Sequence, residues 1–209
     1  MLVDEPLGDL IAELASPNPT PGGGSAAAVA SAMGAALLVM VASLPKTRSG
    51  TEDDRAALAA ARSALTAIQH QLTGAIDADS AAYDQVVTAY KQPKATEAER
   101  AGRAAAIQRA LRGATDVPLG VMRLSHDALK QAATVAAHGH VAADSDARVA
   151  VALLRTALEG ARWNAESNIE GIADAQYVDA VRSECRRLGG DAAAAANEAN
   201  RLLGLRRVR

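Results

Sequence analysis

Residues 16–43 read SPNPTPGGGSAAAVASAMGAALLVMVAS, and this stretch decides how the rest of the chain can fold. Its prolines, at every second position, fix φ and favour an extended, non-helical entry. After three glycines and Ser25 comes an uncharged run of small and aliphatic residues, which predicts a helix over residues 25–43. Because small residues recur in it at four-residue spacing, neighbouring helices can approach its backbone closely. We therefore expect a buried helix at the centre of the fold.

The glycine turn at the start of this helix is the first candidate binding segment. Gly22, Gly23 and Gly24 expose backbone N–H groups, and Ser25 is a favourable N-cap residue. Free N–H groups and the positive end of the helix dipole attract anions, so this turn is predicted to bind a negatively charged ligand group. It lacks the Lys-Ser/Thr pair of a Walker loop and the preceding strand of a dinucleotide fingerprint. The alternative is a plain glycine-rich helix entry that allows tight packing.

Composition favours an all-α fold. Hydrophobic residues make up 49% of the chain, but aromatic residues only 2%, with no phenylalanine. Alanine dominates the apolar share and is the best helix former, which indicates closely packed helices rather than sheets. At 209 residues the chain can bury a substantial core. We predict a single domain over residues 1–209, an antiparallel bundle of long helices, with a tail from about residue 190 that packs more loosely.

Charge and cysteine content exclude several classes of protein. The net charge of −2 argues against nucleic acid as a main partner. The single Cys185 rules out an intrachain disulfide and fits a reducing cytosol. Arginines near the end of the chain are predicted to form a solvated helix face and a frayed tail: Arg182, Arg186, Arg187, Arg206, Arg207 and Arg209.

A membrane helix is the alternative to a buried one for the uncharged stretch. No charge occurs between Glu13 and Lys46, which is long enough to span a bilayer. Prolines and glycines, however, leave only residues 25–44 as continuous helix, and a helix that is apolar all round is equally typical of a bundle centre. The N-terminal MLVDEP is acidic, unlike a secretory signal. We expect a cytoplasmic protein that does not bind a membrane.

Periodicity and capping residues predict the other helices. Thr96 and Glu99 form a capping-box pattern. Pro118 is expected to kink or split its helix, and glycines at 189 and 190 to break the last one. The predicted helices cover residues 4–15, 51–92, 96–137, 144–169, 174–188 and 191–203.

One face of the third helix could carry chemistry. Asp79, Tyr83, Val86 and Tyr90 are spaced by four, three and four residues and therefore share a face. A flat heterocycle could stack on the rings, and Asp79 could bond a ring N–H or stabilise a cation. A negatively charged tail could be held by the two lysines that follow, Lys91 and Lys94. The alternative is a core face with two solvated lysines.

The fifth predicted helix has polar pairs at both ends. Ser145 and Asp146 stand at its start, where helix capping alone explains them. Asn164 and Asn168 lie one turn apart and can offer paired amides to a ligand or to a neighbouring helix. A cluster of histidines and aspartates precedes and opens this helix, but its spacing matches no recognised metal site, so no metal is predicted.

The opening stretch also resembles a known family, the formiminotransferase-cyclodeaminase C-terminal family. This family includes the cyclodeaminase domain of a bifunctional folate enzyme and stand-alone methenyltetrahydrofolate cyclohydrolases. The resemblance covers most of residues 10–172. Four further blocks match in order: DADSAAYDQVVTAYKQPKAT (77–96), ATDVPLGVM (114–122), GHVAADSDARVAVALL (139–154) and EGARWNAESNI (159–169).

The resemblance implies a folate one-carbon enzyme that acts on methenyl- or formiminotetrahydrofolate, with no metal and no cofactor besides its folate substrate. It implies Asp79 and Asp146 as catalytic carboxylates and a homo-oligomer, most simply a dimer, with ligand sites at or near the subunit contact. The substrate-binding residues that it favours are Gly22, Gly23, Gly24, Ser25, Tyr83, Tyr90, Lys91, Lys94, Ser145, Asn164 and Asn168.

The chain departs from the family pattern in its C-terminal half. The usual Gly-Asn-x-Asn has His140 and Ala142 in place of the two asparagines. Arg148 stands where glycine is frequent, and Glu166 replaces a basic or apolar residue. These changes support an alternative: a non-catalytic helical homologue that binds a folate-like or other anionic ligand, or that serves only as an oligomer subunit.

Overall fold

The computed structural model describes residues 1–204, and over that part of the chain the fold is all-α, as predicted. Short 3-10 turns lie at Leu2–Asp4, Val141–Ala143 and Ile169–Gly171. Within these residues no strand forms, although one isolated bridge pairs Thr47 with Gly139. The six α-helices are α1 (Leu7–Leu14), α2 (Gly23–Ala42), α3 (Glu52–Tyr90), α4 (Glu97–His138), α5 (Asp144–Asn168) and α6 (Ala175–Gly204).

The helix α2 is the centre of the bundle, packed along α3 and α5 and touching α4. Gly34 shows why its small residues matter: a Cβ built there would lie 2.8 Å from Cγ of Leu154 and 3.0 Å from the carbonyl oxygen of Ala150. Glycine therefore sets how closely α2 and α5 approach, which confirms the predicted close contact. Length and composition alone would let α2 cross a membrane, but more than half of it is buried in the bundle.

Local signals placed the long helices α3 and α4 correctly. Thr96 caps α4, since its Oγ1 accepts from the amide of Glu99 and its own amide donates to Glu99 Oε2 at 2.8 Å. The helix runs unbroken through Pro118, which was expected to kink or split it.

The last residue of α4, His138, meets Asp54 in the first turn of α3, with Nδ1 2.7 Å from Oδ1. This contact ties the two helices together at one end of the bundle.

The helix α6 corrects a sequence prediction. The break expected at Gly189 and Gly190 is wrong, because the helix continues from Ala175 to Gly204. Buried residues recur on one face of α6 on both sides of the glycines, so burial of a continuous stripe outweighs the weak helix propensity of glycine. These residues are Val181, Cys185, Leu188, Ala192, Ala196, Ala199 and Leu203. The segment expected to pack loosely thus contacts the core as far as Leu203; the arginines at 206, 207 and 209 lie outside the described residues.

Candidate active site

A cavity of about 240 Å³ lies where the first turn of α2 meets α3, α4 and α5. It brings together seven predicted site residues from three separate segments of the chain. A larger open groove of about 570 Å³, between α5 and α6, holds none of them. The residues that line the smaller cavity are Pro19, Thr20, Gly22, Gly23, Gly24, Asp79, Tyr83, Val86, Leu111, Ala114, Asn164 and Asn168.

The carboxylate of Asp79 lies directly against the N-terminus of α2. Its Oδ2 is 3.2 Å from the hydroxyl of Ser25, which also donates to the carbonyl oxygen of Ile76 at 3.0 Å. Gly24 leaves room for it, because a Cβ built there would be 2.0 Å from Oδ1 of Asp79. No other residue type fits at that position without moving the carboxylate.

This arrangement corrects the predicted role of Ser25. The N-cap residue of α2 is Gly22, whereas Ser25 is the third residue of the helix and fully buried. Its hydroxyl turns towards α3, and its backbone amide also donates to Asp79. The start of α2 therefore faces a carboxyl group of the protein itself, and the binding of a ligand anion at this turn stays a prediction.

The protonation of Asp79 reflects two opposing effects. Burial raises the pKa of this carboxyl above its ordinary value, and the hydrogen bonds from Ser25 partly offset that rise. Burial dominates because it disfavours the charged form in a medium of low dielectric constant. A carboxyl whose pKa is raised by burial beside a cavity is a candidate for proton transfer.

The two asparagines present acceptors to the cavity. Nδ2 of Asn164 donates to the carbonyl oxygen of Gly160 at 2.8 Å, and Nδ2 of Asn168 to that of Ala114 at 2.7 Å. Since a carbonyl oxygen only accepts, the nitrogen of each amide must face it, and each amide oxygen remains for another donor. With the carboxylate of Asp79, these oxygens favour a ligand that carries N–H groups or positive charge.

Comparison with known proteins identifies the family. The sequence profile described as formiminotransferase-cyclodeaminase matches residues 6–187. The chain belongs to this family. It is 40% identical over 181 residues to a methenyltetrahydrofolate cyclohydrolase of Methylorubrum extorquens, and the match covers 87% of each chain.

Two other kinds of relative agree with this assignment. Formimidoyltransferase-cyclodeaminases of Gallus gallus and Sus scrofa are 32% and 33% identical over 187 residues, and the match covers 90% of this chain. The chain spans only about a third of the length of those proteins, 35% in each case. The crystal structure of formiminotetrahydrofolate cyclodeaminase from Thermotoga maritima has the same fold, with a TM-score of 0.86, 24% identity and 98% of both chains covered.

Three residues predicted for the site of this family member lie outside the cavity. Tyr90 follows Tyr83 by seven residues, about 10 Å along α3. Its ring packs under the guanidinium of Arg103, 5.4 Å from the ring centre. Lys91 and Lys94 come after Tyr90, in the exposed connection to α4. The structure therefore brings one tyrosine of the predicted face into the cavity, not both.

The predicted pair Ser145 and Asp146 is also remote from the cavity. Both lie in the first turn of α5, and Asn164 comes eighteen residues after Asp146, about 27 Å along the helix. The capping explanation for them is wrong, because the N-cap of α5 is Ala143 and no side chain caps it. Within one chain, Asp146 cannot act beside Asp79.

The departures from the family pattern do not touch the cavity lining. Nδ1 of His140 accepts from the amide of Ala142, 3.4 Å away, in the turn before α5. Glu166 is paired with Arg162 at 3.0 Å. Neither these residues nor Arg148 lines the cavity. Within residues 1–204 no three His, Cys, Asp or Glu side chains are grouped closely enough to hold a metal ion.

Sequence reasoning missed several residues of the site. Pro19 and Thr20 line the cavity from the proline segment, and Leu111 and Ala114 line it from α4. Ser80 lies beside Ser25, with the two hydroxyl oxygens 3.3 Å apart. Only Ala114 carried a usable signal, since it stands four residues before a proline in a predicted helix.

Proposed function

We propose that the protein is a folate one-carbon enzyme, and specifically a methenyltetrahydrofolate cyclohydrolase. Its family membership and its 40% identity to a cyclohydrolase matched over 87% of each chain support this assignment. The observation that carries the chemistry is the Asp79 carboxyl, held at the start of α2 with a raised pKa. The two asparagine amides of the same cavity offer hydrogen-bond acceptors beside it.

In this reaction a water molecule attacks the carbon of the cationic methenyl bridge. The carboxylate of Asp79 takes a proton from the water as the new C–O bond forms, which gives a neutral tetrahedral carbon. The bond from that carbon to the ring nitrogen then breaks, the nitrogen gains a proton, and the hydroxyl loses one as it becomes the formyl group. One proton is released overall. The negative charge of Asp79 also stabilises the cation before attack.

The cavity is suited to the ring end of the substrate. The oxygens of Asn164 and Asn168 can accept hydrogen bonds from the N–H groups of a pterin ring, and Tyr83 offers a surface for stacking. The acidic tail of the substrate would then run along α3 towards Lys91 and Lys94. These two exposed lysines carry the charge that such a tail requires.

A cyclodeaminase activity is the second candidate, because formimidoyltransferase-cyclodeaminases match 90% of the chain. There the folate's own nitrogen attacks the formimino carbon and ammonia leaves, so the same carboxyl would move the proton. Two assays separate the candidates: loss of methenyltetrahydrofolate absorbance, and ammonia release from formiminotetrahydrofolate. We expect the first at a much higher kcat/KM than the second, and the opposite ratio would make the protein a cyclodeaminase.

We also propose that the protein forms a homodimer through α2. Met33 and Met40 share a face of α2 that is turned away from the bundle, and they are 51% and 39% exposed. Val149 on α5 is 51% exposed. Exposed apolar residues on an uncharged helix favour burial against a second copy. Asp146 is remote from the cavity of its own chain, and in such a dimer it could reach the cavity of the partner. A cytoplasmic location stays a prediction.

A further inference from the structure

The helix α4 contains a proline where a bundle helix ordinarily carries an amide donor. Pro118 is buried within the continuous helix Glu97–His138. Proline has no N–H, so the carbonyl oxygen four residues earlier, that of Ala114, loses its regular helical partner. A buried carbonyl without a donor is unfavourable, and native structures supply one from elsewhere.

A side chain that lines the cavity supplies the missing donor. Nδ2 of Asn168, the last residue of α5, donates to the carbonyl oxygen of Ala114 at 2.7 Å. Both Ala114 and Asn168 line the cavity, whereas Pro118 does not. Within residues 1–204 the oxygen of this amide accepts no hydrogen bond, and it is not closed off from solvent.

Asn164 makes a different kind of contact. Its Nδ2 donates to Gly160, four residues earlier in its own helix, so that contact needs nothing from α4. Asn168 instead reaches across to α4, to a carbonyl oxygen that has lost its regular helical donor because residue 118 has no N–H. A residue with an amide at that position would share this oxygen with Asn168, which we expect to weaken the side-chain contact.

We propose that Pro118 is a positioning residue for ligand binding. Because it leaves the carbonyl of Ala114 without a helical donor, that oxygen holds the nitrogen of Asn168, and the amide oxygen of Asn168 is presented to an N–H donor of the ligand. The identity of that ligand, a reduced folate, rests on the proposed function. The anchor itself is a property of the fold and can be tested without any ligand.

The segment that follows α5 is held to α4 by contacts that do not involve the proline. Gln108 donates through Nε2 to the carbonyl oxygen of Gly171 at 2.9 Å, and its Oε1 accepts from the amide of Ala173 at 2.8 Å. Arg112 also pairs with Asp174 at 2.6 Å. Replacing Pro118 is therefore expected to release the side chain of Asn168 rather than the helix that carries it.

The binding test compares Pro118→Ala with a control on the same helix, Gly113→Ala, whose added Cβ meets nothing within 4 Å. The probe is 5-formyltetrahydrofolate, a stable reduced folate. We expect Pro118→Ala to raise its Kd about fivefold to tenfold, the worth of one hydrogen bond, and to raise KM while kcat stays within about twofold. The control is expected to bind like the wild type. Unchanged binding by a folded Pro118→Ala variant would overturn the proposal.

A double-mutant cycle shows whether Pro118 acts through the asparagine. We expect Asn168→Ala to weaken binding as much as Pro118→Ala, and the double variant to lose no more than either single one. Additive losses would mean that the proline only shapes the helix. If the smaller alanine prevents folding, Pro118→Val replaces most of the lost volume and restores the same N–H.

A spectroscopic test needs no folate. The side-chain amide resonances of Asn168, assigned by their loss in Asn168→Asp, are expected to shift towards those of a free asparagine in Pro118→Ala and to stay in place in Gly113→Ala. Resonances that do not move in Pro118→Ala would refute the anchor. A shift in a protein that binds no folate would confirm the anchor and refute the proposed ligand, which separates the two claims.

Discussion

At the scale of single residues, the site depends on one glycine. A Cβ at Gly24 would lie 2.0 Å from Oδ1 of Asp79, so Gly24→Ala must displace the carboxylate from the start of α2. We expect turnover of methenyltetrahydrofolate to fall by about tenfold to a hundredfold, since a charge-assisted contact is worth about 1.5–3 kcal/mol. Gly74→Ala is the control, because its Cβ meets nothing. Equal turnover in the two folded variants would show that Asp79 does not act from this position.

The raised pKa of Asp79 predicts a pH dependence. Burial raises the pKa, so the carboxylate needed as a base is lost at a higher pH than for an ordinary aspartate, near 4. The free energy of unfolding depends on pH in the opposite direction. Folding favours the protonated form of Asp79, so the stabilisation from this group is present at low pH and is lost as pH rises through the folded-state pKa. We expect kcat to fall on the acid side with an apparent pKa above 4. A profile that stays flat down to about pH 4 would contradict a base role.

At the scale of helices, the contact between α2 and α5 depends on Gly34. Gly34→Ala places a methyl group 2.8 Å from Leu154 and 3.0 Å from the backbone of Ala150, and we expect it to destabilise the fold by about 1–3 kcal/mol. The same change at Gly74, where the added Cβ has open space, should stabilise α3 by up to about 1 kcal/mol. Urea unfolding measures both. A Gly34 variant as stable as the Gly74 variant would rule out the tight helix contact.

Helix positions could be predicted because their signals are local, as with the capping box of Thr96 and Glu99. The sequence misled where tertiary burial outweighed a local preference, as in α6 across Gly189 and Gly190, or at Ser25, whose hydroxyl turns to α3 instead of capping α2. Spacing along α3 identified Asp79 and Tyr83. The same spacing could not show that Gly24 makes room for the carboxylate of Asp79, because these two residues are 55 positions apart in the sequence.

At the scale of the whole molecule, the exposed apolar face of α2 predicts an oligomer. Met33→Glu puts a charge at its centre, and we expect the dimer to become a monomer in light scattering at micromolar concentration. Ala59→Glu, on an exposed turn of α3, is the control and should stay dimeric. A monomeric wild type would refute the dimer. A monomeric Met33→Glu variant with full turnover would remove Asp146 from the site.

The catalytic account depends most directly on one assay, the absorbance of methenyltetrahydrofolate after addition of the purified protein at neutral pH. We predict that wild type speeds its loss far beyond spontaneous hydrolysis and that Asp79→Asn, which keeps the shape but not the base, lowers kcat about tenfold to a hundredfold. Asp79→Asn should be at least as stable as wild type at that pH, because it buries no charge. Wild-type turnover in the variant, or none in the wild type, would contradict the account.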